Sequence, residues 1–429
     1  MKIAIEQGRI IDPANDFDAI SNLYIAHGEI IAIGDQPPKG FTPQQTINAQ
    51  HKLVVPGLVD LCARVCEPGF EYKADIDSES LAAVSGGITT LCSPPDTDPP
   101  IQTPADIEFI VRRQSEVGLT KIRVLAAITQ GLRGEQLTDM AHLQESGCVG
   151  VTNVYRPFAN ANVIRRALEY AAGLELTVHI HPQDYALAEG GCAHEGAVST
   201  RLGLPAIPEA AETAAIGFYL PLIEQSGVKA HFCRLSTAKG MNMVRRARHD
   251  KLNITADVCV HQLFLTEIDI SDFNSLCHTR PPLRSQRDRD ALRMALTEDG
   301  IQAICSDHNP HDLEAKLAPF PATEPGISSI ETLLPLTLRL VEEGVISLPQ
   351  AVSLLSKNPA EILGLNAGSL AVGKPADICV IDPSLEWDCD PQKMNSRGKN
   401  SPFAGWTLKG AAEVTLVNGK IVHTRKPVT

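Results

Sequence analysis

Residues 54–69 read VVPGLVDLCARVCEPG, a β-branched, apolar run that ends in polar residues and a Pro-Gly turn. This pattern is typical of a buried parallel strand that delivers its last side chains to the rim of a sheet. Functional side chains of parallel α/β proteins stand at such rims. The stretch therefore predicts both the class of fold and the place where the functional site begins.

Seven further β-like runs follow along the chain and alternate with amphipathic helical segments. The eight runs are residues 53–61, 89–93, 122–128, 149–153, 176–181, 229–235, 253–260 and 301–307. Helical patterns include residues 106–117, 161–172, 208–225 and 287–297. Regular alternation of this kind predicts an α/β fold, a TIM-like (β/α)₈ barrel over residues 53–365.

The two ends of the chain carry short apolar alternations broken by Gly, Pro and Asn. Between Lys2 and about Ile47 they predict small antiparallel strands, and Asn418-Gly419 predicts a hairpin turn near the other end. We expect residues 1–52 and 366–429 to form a small composite β-domain beside the barrel.

Composition excludes several classes of protein. The 429 residues include 38 Lys and Arg against 51 Asp and Glu, a net charge of −13, which argues against binding to nucleic acid or to a membrane surface. The first residues lack signal-peptide organisation, and no apolar run approaches the roughly 20 residues of a spanning helix. We therefore expect a cytoplasmic protein whose 11 scattered cysteines are reduced core thiols.

The first strand resembles that of the cyclic amidohydrolases, and within them the long bacterial dihydroorotases. Their strand runs Pro-Gly-hydrophobic-hydrophobic-Asp-hydrophobic-His-x-His-hydrophobic-Arg-Glu-Pro-Gly, and residues 56, 57, 60 and 67–69 match it. Cys62 and Arg64 stand in the two histidine places, and Cys66 stands in the arginine place. Two histidines at this spacing share a face and can hold one metal ion, whereas a protonated guanidinium has no lone pair to give.

The resemblance implies further losses at the ends of later strands. Asp96 replaces an asparagine that helps hold the substrate carboxylate, and Arg280 replaces the asparagine before Pro-Pro, which is another substrate-binding place, as is that of Cys66. Arg234 replaces a second metal-binding histidine. Asn153 stands where relatives place a bridging aspartate, and we interpret it as a turn residue with a local hydrogen bond.

Two family residues are retained. His181 matches a metal-binding histidine, with Gln183 in place of the glutamate that follows it, and Asp307 matches the metal ligand and general base. Two ligands on opposite strands do not close a tetrahedral site. The sequence therefore predicts a pseudoenzyme with no catalytic residue, no metal and no other cofactor, in which Asp307 is a vestigial base.

Two alternative interpretations of the sequence make the protein an active enzyme. Cys62, His181 and Asp307 could hold one zinc ion in a rebuilt mononuclear site, although Arg64 and Arg234 would put positive charge beside the metal. An amidase could instead use Cys62 or Cys66 as its nucleophile, although buried strand cysteines are usually inert.

We expect Arg64, Arg234 or both to pair with Asp307 and to fill the space of the metals. The resemblance further implies a role. Inactive dihydroorotase-like chains assemble with the catalytic chain of aspartate transcarbamoylase in pyrimidine biosynthesis, and this sequence is similar to them. We expect a homodimer or a mixed oligomer with that partner.

Overall fold

The computed structural model describes residues 1–298 and 300–425. The strands within these ranges are β1 (Lys2–Asp12), β2 (Phe17–Ala26), β3 (Glu29–Ile33), β4 (Gln45–Asn48), β5 (Leu53–Pro56), β6 (Leu58–Asp60), β7 (Ile88–Ser93), β8 (Lys121–Ala127), β9 (Gly150–Thr152), β10 (Val178–Ile180), β11 (Ala193–His194), β12 (Ala206–Ile207), β13 (Ala230–Phe232), β14 (Ile254–Cys259), β15 (Ala303–Cys305), β16 (Ile378–Asp388), β17 (Thr407–Val417) and β18 (Lys420–Thr424).

The α-helices of the same ranges lie mainly between the barrel strands. They are α1 (Ile76–Ser85), α2 (Pro104–Val117), α3 (Met140–Glu145), α4 (Ala161–Gly173), α5 (Tyr185–Ala188), α6 (Ala197–Leu202), α7 (Ala210–Ser226), α8 (Ala238–His249), α9 (Gln286–Ala295), α10 (Leu333–Glu342), α11 (Leu348–Leu355) and α12 (Lys357–Ile362). The four helical patterns quoted from the sequence correspond to α2, α4, α7 and α9. None of the helices in the described part of the chain combines the length and the apolar character needed to span a bilayer.

Eight parallel strands form the barrel in the order β15-β14-β13-β10-β9-β8-β7-β6. A parallel bridge between Ala63 and His308 joins the two ends of this order, with Arg64 N donating to His308 O at 2.9 Å. Apolar residues of alternate strand positions pack inside the barrel, including Leu61, Leu125 and Cys305. The opposite positions pack against the helices. The predicted (β/α)₈ fold is confirmed.

The first predicted run is wrong as a single strand, because it is divided between two sheets. Strand β5 pairs antiparallel with β16 and parallel with β1, whereas β6 pairs with β7 in the barrel. Gly57 joins them, and a Cβ placed there would lie 2.1 Å from Thr89 Oγ1. Close approach of this backbone to β7 requires glycine. The barrel sheet begins at Leu58, not at residue 53.

The two ends of the chain share a second sheet, in the order β18-β17-β16-β5-β1-β2-β3, with β4 paired to β1. Its buried face includes Ile3, Leu23, Val54 and Ile378. The predicted hairpin connects β17 to β18, with Val417 opposite Lys420. Asn418 (φ 48°) and Gly419 (φ 68°) both take the left-handed conformation that a two-residue hairpin turn requires.

Candidate functional site

The barrel strands direct their C-terminal ends to one opening, which we call the mouth. A cavity of about 1040 Å³ lies there, and its lining includes Arg64, Asp96, Tyr155, Arg280 and Asp307. Most positions singled out in the sequence therefore meet in one place. Two of them, Arg234 (φ 58°) and Asp307 (φ 46°), have left-handed backbone conformations, which are uncommon outside glycine and recur at functional sites.

Both strand-end arginines pair with the retained carboxylate. Arg234 Nη1 donates to Asp307 Oδ1 at 3.0 Å, and Arg64 Nη1 donates to the same oxygen at 3.4 Å. Arg64 Nε also donates to Asp96 Oδ2 at 2.9 Å. The side chains of Arg234, Asp307 and Arg64 are 5%, 7% and 10% exposed. Two guanidiniums and two carboxylates thus balance each other. The pairing of both arginines with Asp307 was expected from the sequence, whereas the pairing of Arg64 with Asp96 was not.

Asp307 is held as an anion. Burial by itself would raise the pKa of Asp307, but Arg234 and Arg64 outweigh burial, and the pKa lies below its usual value. A general base needs a free lone pair directed at an activated water. Here Oδ1 already accepts from both guanidiniums, so Asp307 acts as the counter-ion of two arginines.

Cys62 belongs to the same cluster as a neutral thiol. Arg234 Nη1 donates to Cys62 Sγ at 3.0 Å, and Sγ lies 3.4 Å from Asp307 Oδ1, to which it donates. Burial raises the pKa of the Cys62 thiol well above its usual value, more than the arginines lower it. Burial likewise raises the pKa of Cys66 to about 12. Neither sulfur has the thiolate character that a nucleophile needs.

His181 is hydrogen-bonded to Gln183 at the mouth. Gln183 Oε1 lies 3.3 Å from His181 Nε2 and accepts from Arg280 Nε, also at 3.3 Å. An amide oxygen only accepts, so Nε2 carries the proton in this arrangement. Burial, together with Arg234 and Arg280, lowers the pKa of His181 well below its usual value. The imidazole is therefore neutral.

The predicted zinc set of Cys62, His181 and Asp307 is not one of the compact ligand groups. Within residues 1–298 and 300–425, the sets that bring three ligand atoms within 4.8 Å of one another are Cys259, His261 and Asp307, and His179, His231 and Cys233.

Each set has a feature that opposes a metal ion. In the first, both nitrogens of His261 lack a hydrogen-bond partner among the described residues, but Asp307 is paired with Arg234, which would repel a divalent cation. In the second, both nitrogens of His231 are engaged, Nε2 with Asp257 Oδ2 at 3.0 Å and Nδ1 with Thr255 Oγ1 at 2.8 Å. The mouth residues therefore do not fit the metal that the resemblance implies.

Tyr155 is the central residue that the sequence analysis did not identify. Its ring centroid lies 4.7 Å from Arg280 Cζ, 4.9 Å from Arg234 Cζ and 5.7 Å from Arg64 Cζ. Its hydroxyl donates to the carbonyl oxygen of Arg280 at 3.0 Å. Aromatic rings attract cations through their quadrupole, so one ring supports three guanidiniums. An aromatic residue two places after Asn153, at a strand end, is the signal that could have identified it.

Asn153 has the turn role predicted for it. Its Oδ1 accepts from Thr129 Oγ1 at 2.6 Å, and its Nδ2 donates to Arg156 O at 3.1 Å. These bonds hold the loop that carries Tyr155.

Asp60, which matches the family's first-strand pattern, connects two barrel strands. Its Oδ1 accepts from Ser306 N at 2.9 Å, and its Oδ2 accepts from the Ser306 hydroxyl. Burial raises the pKa of Asp60 to about 6. The residue ties β6 to the end of β15, so it closes the barrel.

Comparison with known proteins places these features in a family. The model of the amidohydrolase family matches residues 53–422. A dihydroorotase-like protein of Pseudomonas aeruginosa is 47% identical over 423 residues, covering 99% of this chain and 100% of that protein. A protein of Geobacter sp. strain M21 named dihydroorotase is 40% identical and covers 99% of each. Similar proteins are thus named either dihydroorotase-like protein or dihydroorotase.

Solved structures agree on the fold. The L-hydantoinase (dihydropyrimidinase) of Arthrobacter aurescens superposes with a TM-score of 0.87 at 21% identity, covering 100% of this chain and 97% of that one. A D-hydantoinase superposes with a TM-score of 0.83 at 23% identity, covering 99% and 96%. Identity at this level supports the common architecture alone.

Proposed function

This chain belongs to the amidohydrolase family, and we propose that it is a non-catalytic, dihydroorotase-like member that serves as a structural subunit of aspartate transcarbamoylase in pyrimidine biosynthesis. The proposal that the chain is non-catalytic is supported by the pairing of Arg234 with Asp307 at 3.0 Å. The Arg234 guanidinium is hydrogen-bonded to the carboxylate that a hydrolase of this family would use as its general base.

The chemical argument concerns water. Hydrolysis of a cyclic amide needs a nucleophilic water, which metal coordination supplies by lowering the pKa of the bound water. Arg64 and Arg234 bring positive charge without any lone pair for a metal, and His181 directs its protonated nitrogen to Gln183. No group described at the mouth then generates hydroxide near neutral pH.

The assembly role has a different kind of support. The chain is similar over its full length to proteins named dihydroorotase-like or dihydroorotase. Its sequence also resembles inactive chains that support the catalytic trimers of aspartate transcarbamoylase. An acidic chain with 51 Asp and Glu suits a complex between cytoplasmic proteins rather than one with nucleic acid.

The rival function is an active, zinc-dependent cyclic amidohydrolase with a rebuilt mononuclear site. It is supported by the proximity of Cys259, His261 and Asp307, and by the two ring nitrogens of His261, which are buried without a hydrogen-bond partner among the described residues. The Arg234 guanidinium, already bonded to Asp307, weighs against it.

Metal content and turnover distinguish the two functions. The chain is purified without chelators, zinc per chain is measured, and hydrolysis of dihydroorotate is assayed with added zinc. We expect far less than one zinc per chain and no turnover. Near-stoichiometric zinc with turnover contradicts the proposal. The triple variant Cys62→His, Arg64→His, Arg234→His is the matched control, because it restores three ligand positions and should bind zinc on the same barrel.

The assembly proposal has its own test. The chain is co-expressed with the aspartate transcarbamoylase catalytic chain of its own source organism, and the mixture is analysed by size-exclusion chromatography with light scattering. We expect one mixed oligomer containing both chains. Separate elution at micromolar concentration contradicts the role.

A further inference from the structure

Helix α7 turns an apolar face outward from the barrel. The exposed positions of this face recur three and four residues apart, and they are Ala214, Gly217, Phe218 and Pro221. The neighbouring helix α4 instead exposes Arg165, Arg166 and Glu169. Because a helix that faces water normally carries charged residues on its outer side, the outer face of α7 is suited to contact with protein.

Helix α5 extends this apolar surface. Tyr185 and Leu187 of α5 are 47% and 44% exposed, and Phe218 of α7 is 43% exposed. The two helices pack against each other. Tyr185 and Phe218 also line one cavity of about 290 Å³, together with Phe158 and Tyr219. Exposed aromatic side chains and an apolar cavity thus form one surface, the α5/α7 face, and contiguous apolar surfaces of this kind mark interaction sites.

The margin of the α5/α7 face carries charges of both signs. Glu224 near the end of α7 lines a groove that Arg246 and Lys251 line from the side of α8. All three side chains are exposed, and none has an ion pair within residues 1–298 and 300–425. A polar margin around an apolar centre is the usual composition of a protein interface.

A second copy of the chain matches both the apolar centre and the charged margin. A two-fold contact brings the same surface together from both sides, so a surface must complement itself. With the axis parallel to α7, Phe218 of each copy faces the apolar cavity of the other. Glu224 of one copy then faces Arg246 of the other at the same height along the barrel. The small side chain of Ala214 and the bare backbone of Gly217 allow the two helices to approach closely.

We propose that the α5/α7 face is the interface of a symmetric homodimer, with Phe218 at its centre and Glu224 paired with Arg246 of the second copy at its margin. Large aromatic side chains at the centre of an interface contribute most of its affinity, and surrounding polar residues exclude water from them. A specific interface buries about 800 Å² on each partner, which requires both helices to take part.

The oligomeric state of the full-length chain tests the proposal. The chain alone is analysed by size-exclusion chromatography with light scattering and by sedimentation equilibrium at micromolar concentration, and we expect a dimer. Phe218→Glu places a carboxylate at the centre of the interface and should raise the dimer Kd about thirtyfold or more. Phe273→Glu is the matched control, because Phe273 is 51% exposed in the segment after β14 and should leave the dimer intact.

Exchange of charges tests the pairing at the margin. Glu224→Arg alone and Arg246→Glu alone should each raise the dimer Kd about threefold or more, because each change puts like charges opposite one another. The chain with both changes should recover the Kd of the parent chain. Damage to the fold would instead add in the double variant, so recovery distinguishes pairing from misfolding.

Each outcome supports or overturns the proposal. A monomeric parent chain, a dimer that Phe218→Glu leaves unchanged, or additive losses in the double variant overturns it. If Phe218→Glu fails to fold by circular dichroism, Leu187→Lys on α5 takes its place and should weaken the dimer. A parent chain that is monomeric alone, but whose co-elution with aspartate transcarbamoylase is lost in Phe218→Glu, would assign the face to that partner and overturn the proposal. The inference goes beyond the proposed function, since self-association is measured without zinc, substrate or partner.

Discussion

At the scale of single residues, the exchange of metal ligands for arginine is electrostatically consistent. A buried carboxylate without a partner is costly, and the family's metal ions would otherwise supply the compensating charge. Arg234 and Arg64 supply it here, at 3.0 and 3.4 Å from Asp307 Oδ1. Arg234 and Arg64 therefore compensate the buried charge of Asp307.

Replacement of Asp307 by asparagine is predicted to destabilise the chain. The change leaves two buried guanidiniums short of one carboxylate, and breaking a buried pair of this kind costs about 3–5 kcal/mol of the free energy of unfolding. Urea unfolding followed by circular dichroism measures the loss. Asp96→Asn is the matched control, because Asp96 is 27% exposed and, among the described residues, its ion pair is with Arg64 alone. Equal stability of Asp307→Asn and the parent chain would contradict the counter-ion role.

Tyr155 gives a second prediction. Tyr155→Ala removes the ring that three guanidiniums contact and should lower the free energy of unfolding by about 2–3 kcal/mol, less than for a fully buried aromatic side chain because Tyr155 is half-buried. Tyr155→Phe keeps the ring and removes only the hydroxyl bond to Arg280 O, which costs about 1 kcal/mol. Thermal and urea unfolding compare the two variants. A loss of equal size in both would assign the role to the hydroxyl instead of the ring.

At the scale of elements, the junction between β5 and β6 couples the two sheets. Leu53–Pro56 belongs to the terminal sheet and Leu58–Asp60 to the barrel, with one residue between them. Periodicity cannot detect this division, because both strands are fully buried and form one continuous apolar run. The pairing partners, which come from distant parts of the chain, decide where one strand ends.

Gly57→Ala tests that junction. The added Cβ would lie 2.1 Å from Thr89 Oγ1 and 2.3 Å from Thr89 Cγ2, so the strands must separate or Thr89 must move. We expect a loss of about 1–3 kcal/mol in the free energy of unfolding, as for other overpacked sites. Gly173→Ala at the end of α4 is the control, because a Cβ at that position meets nothing within 4 Å and the change should be neutral or slightly stabilising. Similar stability of both variants would contradict a close approach at Gly57.

At the scale of the whole molecule, buried histidines set the dependence of stability on pH. Burial lowers the pKa of His261 and of His278 to about 4, whereas an unfolded histidine titrates near about 6.5. Between these values the unfolded chain binds more protons than the folded chain, so stability falls as pH falls. The loss is about 1.4 kcal/mol per pH unit for each histidine.

Asp60 acts in the opposite direction over part of the range. Its pKa of about 6 in the folded chain exceeds the unfolded value, so its stabilising contribution is present at low pH and is lost as pH rises through about 6. The pH-dependent contribution of Asp60 to stability offsets that of about one histidine. His179 and His181 add to the histidine contribution, because burial also lowers their pKa values. The urea midpoint should be lower at pH 5 than at pH 7. A His278→Gln variant should show a shallower pH dependence, and an equal or higher midpoint at pH 5 would contradict the prediction.

The sequence by itself determined the barrel, the strand ends that meet at its mouth, and the replacement of metal ligands by Cys62, Arg64 and Arg234. The barrel and its strand ends follow from local periodicity, which is a property of each segment alone, whereas the replaced ligands follow from the resemblance to the amidohydrolase family. Only the tertiary structure decided that both arginines share one oxygen of Asp307, that Tyr155 supports three guanidiniums, and that the first run serves two sheets. Those features depend on distances between residues far apart in the chain, and such distances are set by packing.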